Sequence, residues 1–212
     1  MCHKVMAKKQ ILVRTILIGL ASVLLFGGIG VWLIGPERTE RKIRSLGTLV
    51  TIDRSGGEPE FPDIDQSRLS HIQQKIVMLT KEEFTTQASG EKFSEGASEA
   101  WCADFVSWIM KEADVPLKNP HTGGWRIPGT YTLKDYYVAQ GRFREVGSGY
   151  VPKLGDVAIY QNSPIFGDHT NIVLSNVDGV LTTVGGNENN RVRVYENTAR
   201  QYAGLLGYGV LE

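Results

Sequence analysis

SEAWCADFVSWIMKEADV, residues 98–115, is the stretch on which the fold turns. Ala100, Trp101, Phe105, Trp108, Ile109 and Ala113 recur at the 3.6-residue period and cover a broad arc, the pattern of a helix packed deep in a core. Ser98 stands where an N-cap is expected, which puts Cys102 in the first turn or two. The chain has one other cysteine, Cys2, at the far N-terminus. A thiol is a useful nucleophile only as thiolate, and a helix N-terminus stabilises that anion through unpaired N–H groups and aligned peptide dipoles. Free cysteine also commonly packs as a small hydrophobe, so position alone leaves both readings open and a base has to be found.

Downstream, Pro116 to Arg144 reads as loop and then weak helix. Within it GGWRIPGTY, residues 123–131, offers Trp125 and Tyr131 as aromatic walls for a substrate groove. The period then changes to that of strands: DVAIY from Asp156, HTNIVLS from His169, GVLTTV from Gly179, RVRVY from Arg191 and LLGYGVL from Leu205, with turn signals between them. Helices followed by a run of strands imply an α+β fold, with the helices packed on one side of a small antiparallel sheet.

Four histidines are candidates for the base. His3 lies before the apolar N-terminal run, His71 sits between Leu69 and Ile72 on an amphipathic segment, and His121 is in a Pro/Gly-rich loop. His169 opens a strand, where a side chain is held by the sheet yet can face a groove. The turn NVDG, residues 176–179, then sets what lies opposite it. A three-residue loop pairs residues whose numbers sum to 356 and brings His169 to Asn187; a two-residue Asp-Gly loop gives 357 and brings it to Glu188. Either side chain can orient an imidazole. Gly185 and Gly186 can add a bulge, so both registers stay open. Cys102, His169 and Asn187 make a set suited to attacking amides: the ring takes the thiol proton and later gives it to the leaving amine, while the carboxamide fixes the tautomer.

Upstream, Leu69, Ile72, Ile76 and Leu79 recur at helical spacing, with Asp65 or Ser67 as N-cap and an end near Glu83. Before them the charged, Gly- and Pro-rich segment 36–66 reads as a linker. Residues 15–35, TILIGLASVLLFGGIGVWLIG, carry no charge over 21 residues, enough for a transmembrane helix. The expected organisation is therefore a cytoplasmic segment 1–14, a membrane span 15–35, a linker 36–66 and a catalytic domain 67–212 outside the membrane, single-pass with the N-terminus inside. Lys4, Lys8, Lys9 and Arg14 precede the span; the remainder holds 19 basic against 23 acidic residues. Nucleic acid is excluded as a partner, because phosphate binding needs a concentrated basic face. No Cys pair, HExxH or Asp-rich loop has metal-ligand spacing, so neither metal nor cofactor is expected.

WCADFVSWIM, PKLGDVAIY, DHTNIVLS and VGGNENN together resemble, in order and spacing, the CHAP domain, the cysteine and histidine dependent amidohydrolase/peptidase family of papain-like fold. The resemblance covers roughly residues 68–212. It implies a peptidoglycan hydrolase, an N-acetylmuramoyl-L-alanine amidase or a peptide endopeptidase, working on stem or cross-bridge peptide through a thioester. It also implies roles: Cys102 nucleophile, His169 base, Asn187 orienting residue. One departure is that many members carry an acid two positions before that asparagine, where this chain has Gly185, so Glu188 is the alternative orienting residue. The same departure is the feature that would favour a non-catalytic wall-binding or assembly module on this scaffold.

Overall fold

The computed structural model describes residues 41–45, 48–52, 60–197 and 203–211. They fall within one compact unit, Arg38–Glu212. The apolar run 15–35 and the segment 1–14 lie outside the described residues. Among the described residues no helix is long and apolar enough to cross a membrane.

The segment read as a linker carries strands β1 (Arg41–Ser45) and β2 (Thr48–Ile52), which with β3 (Asp63–Ile64) form a three-stranded antiparallel sheet in the order β1-β2-β3. Ile64 is buried in the main core. RKIRS and TLVTI are short runs within a charged, Gly- and Pro-rich segment, which is why they read as tether rather than strand.

Helix α1 (His71–Thr86) starts later than its expected caps, at Ser70. Ser70-His71-Ile72-Gln73 is a capping box: the Ser70 hydroxyl accepts from the Gln73 N–H at 3.2 Å and the Gln73 amide oxygen accepts from the Ser70 N–H at 3.1 Å. Asp65, one of the expected caps, instead closes a turn by accepting from the Ser67 N–H. The helix ends at Gln87, which takes a left-handed conformation and clamps Val192 by donating to its carbonyl and accepting from its N–H. The short helix α2 (Gly90–Phe93) was not legible in the sequence.

Helix α3 (Cys102–Glu112) is the structural axis, with eight of its eleven residues buried. Phe93, Trp101, Phe105 and Trp108 form an aromatic cluster, the Phe93 ring lying 5.2 to 5.4 Å from the other three. That packing explains the two tryptophans that flank the thiol. Each fully buried aromatic contributes on the order of 2–3 kcal/mol by leaving water. Helix α4 (Thr130–Ala139) follows from Gly129.

The second sheet has six strands: β4 (Phe143–Glu145), β5 (Val157–Ser163), β6 (Gly167–Val177), β7 (Val180–Gly185), β8 (Arg193–Asn197) and β9 (Leu205–Gly209), in the order β4-β9-β5-β6-β7-β8. Its described pairs are all antiparallel. Val157, Ile159, Ile172, Leu174, Val184 and Val194 face the helices in the main core. Ala158, Tyr160, Val173, Leu181, Leu205 and Tyr208 form a second cluster. Strands buried on both faces lose clean alternation, which is why β5 and β6 read as continuous apolar runs. Asp156 ties the start of β5 together: its carboxylate accepts from the Lys153 N–H, the Tyr150 hydroxyl and the Leu211 N–H.

The β6–β7 hairpin contains both expected registers. Asp178 and Gly179 form a two-residue turn with φ of 50° and 81°, the left-handed pair a type I′ turn requires, so Val177 pairs with Val180 and Ser175 with Thr182. A bulge between Val173 and Ser175 then shifts the ladder by one, so Val173 pairs with Thr183 and Ile172 with Val184.

Candidate active site

Cys102 is the first residue of α3, with Trp101 rather than Ser98 at the N-cap position. Residues 98–101 stay in the preceding loop, since Trp101 turns inward onto Phe93 and its indole N–H donates to the Asn190 carboxamide. The thiol therefore sits at the helix terminus itself, where the first-turn N–H groups have no intrahelical acceptor and the dipole favours an anion. Cys102 is a free cysteine, 5% exposed.

Three side-chain or backbone groups from distant elements meet the sulfur. The Thr130 hydroxyl, at the start of α4, lies 3.9 Å from Sγ. The His169 ring and the Thr170 backbone on β6 act on it electrostatically, each drawing the thiol down. Burial alone would push the thiol up, but His169, Thr130 and the Thr170 backbone together hold it below the ordinary cysteine value. The converse holds for the ring. Burial would lower it, yet Cys102 and Glu188 push His169 up to about 9. A depressed thiol beside a raised imidazole is the electrostatic signature of a thiolate–imidazolium pair.

The partner on the far side of the ring is Glu188. His169 Nε2 lies 2.8 Å from Glu188 Oε1, with both residues 5% exposed. With Nε2 engaged there, Nδ1 is the nitrogen left for proton exchange with the sulfur. The Asn171 amide donates to the same Glu188 oxygen at 3.1 Å, holding the carboxylate from a second direction. Phe166 stacks on the imidazole with centroids 5.4 Å apart and is itself met edge-on by Tyr195 at 5.5 Å, so the ring is screened on that face.

Asn187, the orienting residue implied by the resemblance, makes no hydrogen bond to His169 among the described residues. Continued past Ile172 and Val184, the ladder would place residue 187 opposite 169, but β7 stops at Gly185. Asn187, Asn189 and Asn190 then take left-handed φ of 61°, 54° and 59°, folding the segment back on itself, with the Glu188 N–H bonded to the Arg191 carbonyl. That fold-back swings the Glu188 carboxylate over Gly185. A Cβ at position 185 would lie 2.8 Å from Glu188 Oε1 and 3.2 Å from both His169 Nε2 and Asn171 Nδ2. The acid that the sequence lacks at 185 is supplied from 188, and glycine is what leaves room for it. Gly186 has a separate reason: a Cβ there would lie 2.4 Å from the Trp101 ring and 2.6 Å from Phe105.

Of the two aromatic groove residues expected, Tyr131 follows Thr130 at the site, with its ring 52% exposed and its hydroxyl donating to Asp168 at 2.9 Å. Trp125 is not brought to the thiol: its ring lies beside Lys111 Nζ, at 5.0 Å, near the other end of α3. Arg126, next to it, pairs instead with Glu99 and with the buried Asp104, its Nε 2.8 Å from Oδ1. Thr130 and Phe166 were not assigned to the site from sequence, and Asn171 was not read as a partner of the acid. Asn171 was legible in principle, since it lies two residues along the strand from His169 and shares its face; Thr130 meets Cys102 only through tertiary packing.

Residues 94–187 match the family model of the CHAP domain. A search of curated proteins finds no match. The mixed arrangement of helices on an antiparallel sheet is consistent with that domain, whose members are typically cysteine and histidine dependent amidohydrolases or peptidases.

Proposed function

We propose that the chain is a peptidoglycan hydrolase in which Cys102, His169 and Glu188 carry out amide hydrolysis through a thioester, held at the membrane by residues 15–35. The observation that carries the reading is the convergence of the three side chains: a helix-terminal thiol, the raised imidazole and the buried carboxylate on Nε2. The thiolate attacks the carbonyl carbon of the substrate amide, forming the C–S bond, while the backbone N–H of Cys102 at the helix start faces the developing oxyanion. The imidazolium gives its proton to the nitrogen as the C–N bond breaks, releasing the amine and leaving neutral His169. Water then loses a proton to His169 and attacks the thioester; the C–S bond breaks, and thiolate, imidazolium and a carboxylic product result. Glu188 holds Nε2 at 2.8 Å, favouring the imidazolium and fixing the ring's orientation, as the acid does in related triads.

The peptide substrate class follows from the domain match, and the membrane tether from the uncharged 21-residue run. The position of the Glu188 carboxylate against Gly185 supports the catalytic reading over a non-catalytic scaffold. The test is digestion of purified cell-wall fragments by the chain and by Cys102→Ala, with new termini identified by mass spectrometry. Cys102→Ala is expected to keep a cooperative thermal transition and lose turnover by at least about a thousandfold. Turnover in Cys102→Ala at the unaltered rate overturns the proposal, and the termini distinguish the muramoyl amide from a bond within the peptide.

A further inference from the structure

Asp168 precedes His169, and strand alternation places it on the face of β6 that also carries Thr170 and Ile172, the face against which α3 packs. Asp168 adjoins His169 on β6 and is joined through Tyr131 to Thr130, whose hydroxyl lies 3.9 Å from the Cys102 sulfur. It is exposed, yet its carboxylate is fixed. Oδ2 accepts from the Tyr131 hydroxyl at 2.9 Å and Oδ1 from the Asn162 N–H at 2.9 Å, while Gln161 donates to the Tyr131 oxygen at 3.4 Å. Both donors are neutral. Among the described residues no lysine, arginine or histidine forms an ion pair with this carboxylate. Tyr131 is itself placed by Thr130, whose hydroxyl touches the sulfur. The bridge thus joins the neighbours of two groups that contact the nucleophile.

An exposed aspartate on a flexible loop would be solvated and mobile. This one is oriented by two hydrogen bonds, next in sequence to His169, with no described cation paired to it. We propose that Asp168, positioned by Tyr131, recognises a primary ammonium group of the substrate peptide, an inference that rests on the hydrolase reading above. Cell-wall stem peptides offer two such groups, the side-chain amine of the diamino acid and a free N-terminal α-amine. Carboxylate-to-ammonium pairing gives specificity and discriminates against neutralised amines.

The experiment uses the full chain and the tetrapeptide L-Ala-γ-D-Glu-L-Lys-D-Ala in three forms: unmodified, acetylated on the lysine Nε, and acetylated on the α-amine. Binding is read by calorimetry on Cys102→Ala, which needs no turnover, and in the same background with Asp168→Asn, which keeps the shape and the acceptor for Tyr131. The unmodified peptide is expected to bind about tenfold or more tighter than one acetylated form, a preference that Asp168→Asn abolishes and added salt weakens. Which acetylation matters identifies the amine. Equal binding of all three forms by Cys102→Ala, or a preference that survives Asp168→Asn, overturns the inference. Kinetics on the unmutated chain judge the hydrolase reading separately: cleavage without amine preference sinks only the role of Asp168, and amine-selective binding without cleavage sinks only the hydrolase.

Discussion

Replacing Glu188 by Gln keeps the size of the side chain and removes the charge that faces His169 Nε2 at 2.8 Å. The imidazole stands at about 9 against an ordinary 6.5, with Cys102 and Glu188 as the two groups that raise it. Burial acts the other way, so the two partners together outweigh the desolvation of the ring. With Glu188 neutralised burial counts for more, and the imidazolium in Glu188→Gln titrates lower by on the order of one unit, about 1 kcal/mol. The sign follows from linkage: a base raised by folding stabilises the native state fully below about 6.5, and that stabilisation is lost as pH rises through about 9. The alkaline limb of kcat/KM is therefore expected near pH 9 in the unmutated chain and about one unit lower in Glu188→Gln. Alkylation of Cys102 by iodoacetamide near neutral pH is expected to slow by about tenfold. Asn187→Gly serves as the comparison, because it removes the carboxamide while tolerating the left-handed φ of 61°. If Asn187→Gly moves the limb and Glu188→Gln does not, the orienting residue is the amide and the argument from geometry is wrong.

Gly185→Ala introduces a Cβ 2.8 Å from the Glu188 carboxylate, so it is expected to displace the acid and cut kcat/KM by ~10–100-fold while costing only about 1–2 kcal/mol in urea unfolding. Gly186→Ala drives a methyl into Trp101 and Phe105, and is expected to lower stability by about 2–3 kcal/mol by the same measurement. Asp104 is fully buried with the Arg126 Nε 2.8 Å from its Oδ1, so the guanidinium opposes the burial that, with Glu95, pushes the carboxyl up. Asp104→Asn leaves that guanidinium without its buried partner and is expected to lower stability by about 1–3 kcal/mol in urea unfolding.

Cys102 and His169 were legible because each is marked locally: the thiol by helical periodicity and a turn position, the histidine by standing at the entry of an alternating strand. The α+β order of elements was legible for the same reason. The residue on the far side of the ring was not, because the choice between Asn187 and Glu188 hinges on a bulge near Leu174 and on the left-handed Asn187, Asn189 and Asn190 after Gly186. Neither feature has a period. The N-cap of α3 was misplaced from Ser98 because Trp101 is drawn inward by Phe93, a tertiary preference that outweighs a favourable cap. Trp125 was aromatic and near glycines, yet its ring goes to Lys111; composition identifies a wall without saying which room it borders.

The relocation of the acid from position 185 to 188 bears on how such chains are sorted. A scan that inspects one alignment column for a carboxylic residue would file this protein with degenerate, inert copies, although the same volume beside the imidazole is occupied by an oxygen arriving from three residues later. An inventory of supposedly inactive enzymes built column by column would therefore overlook a carboxylate that reaches the imidazole from a neighbouring position, as Glu188 does here.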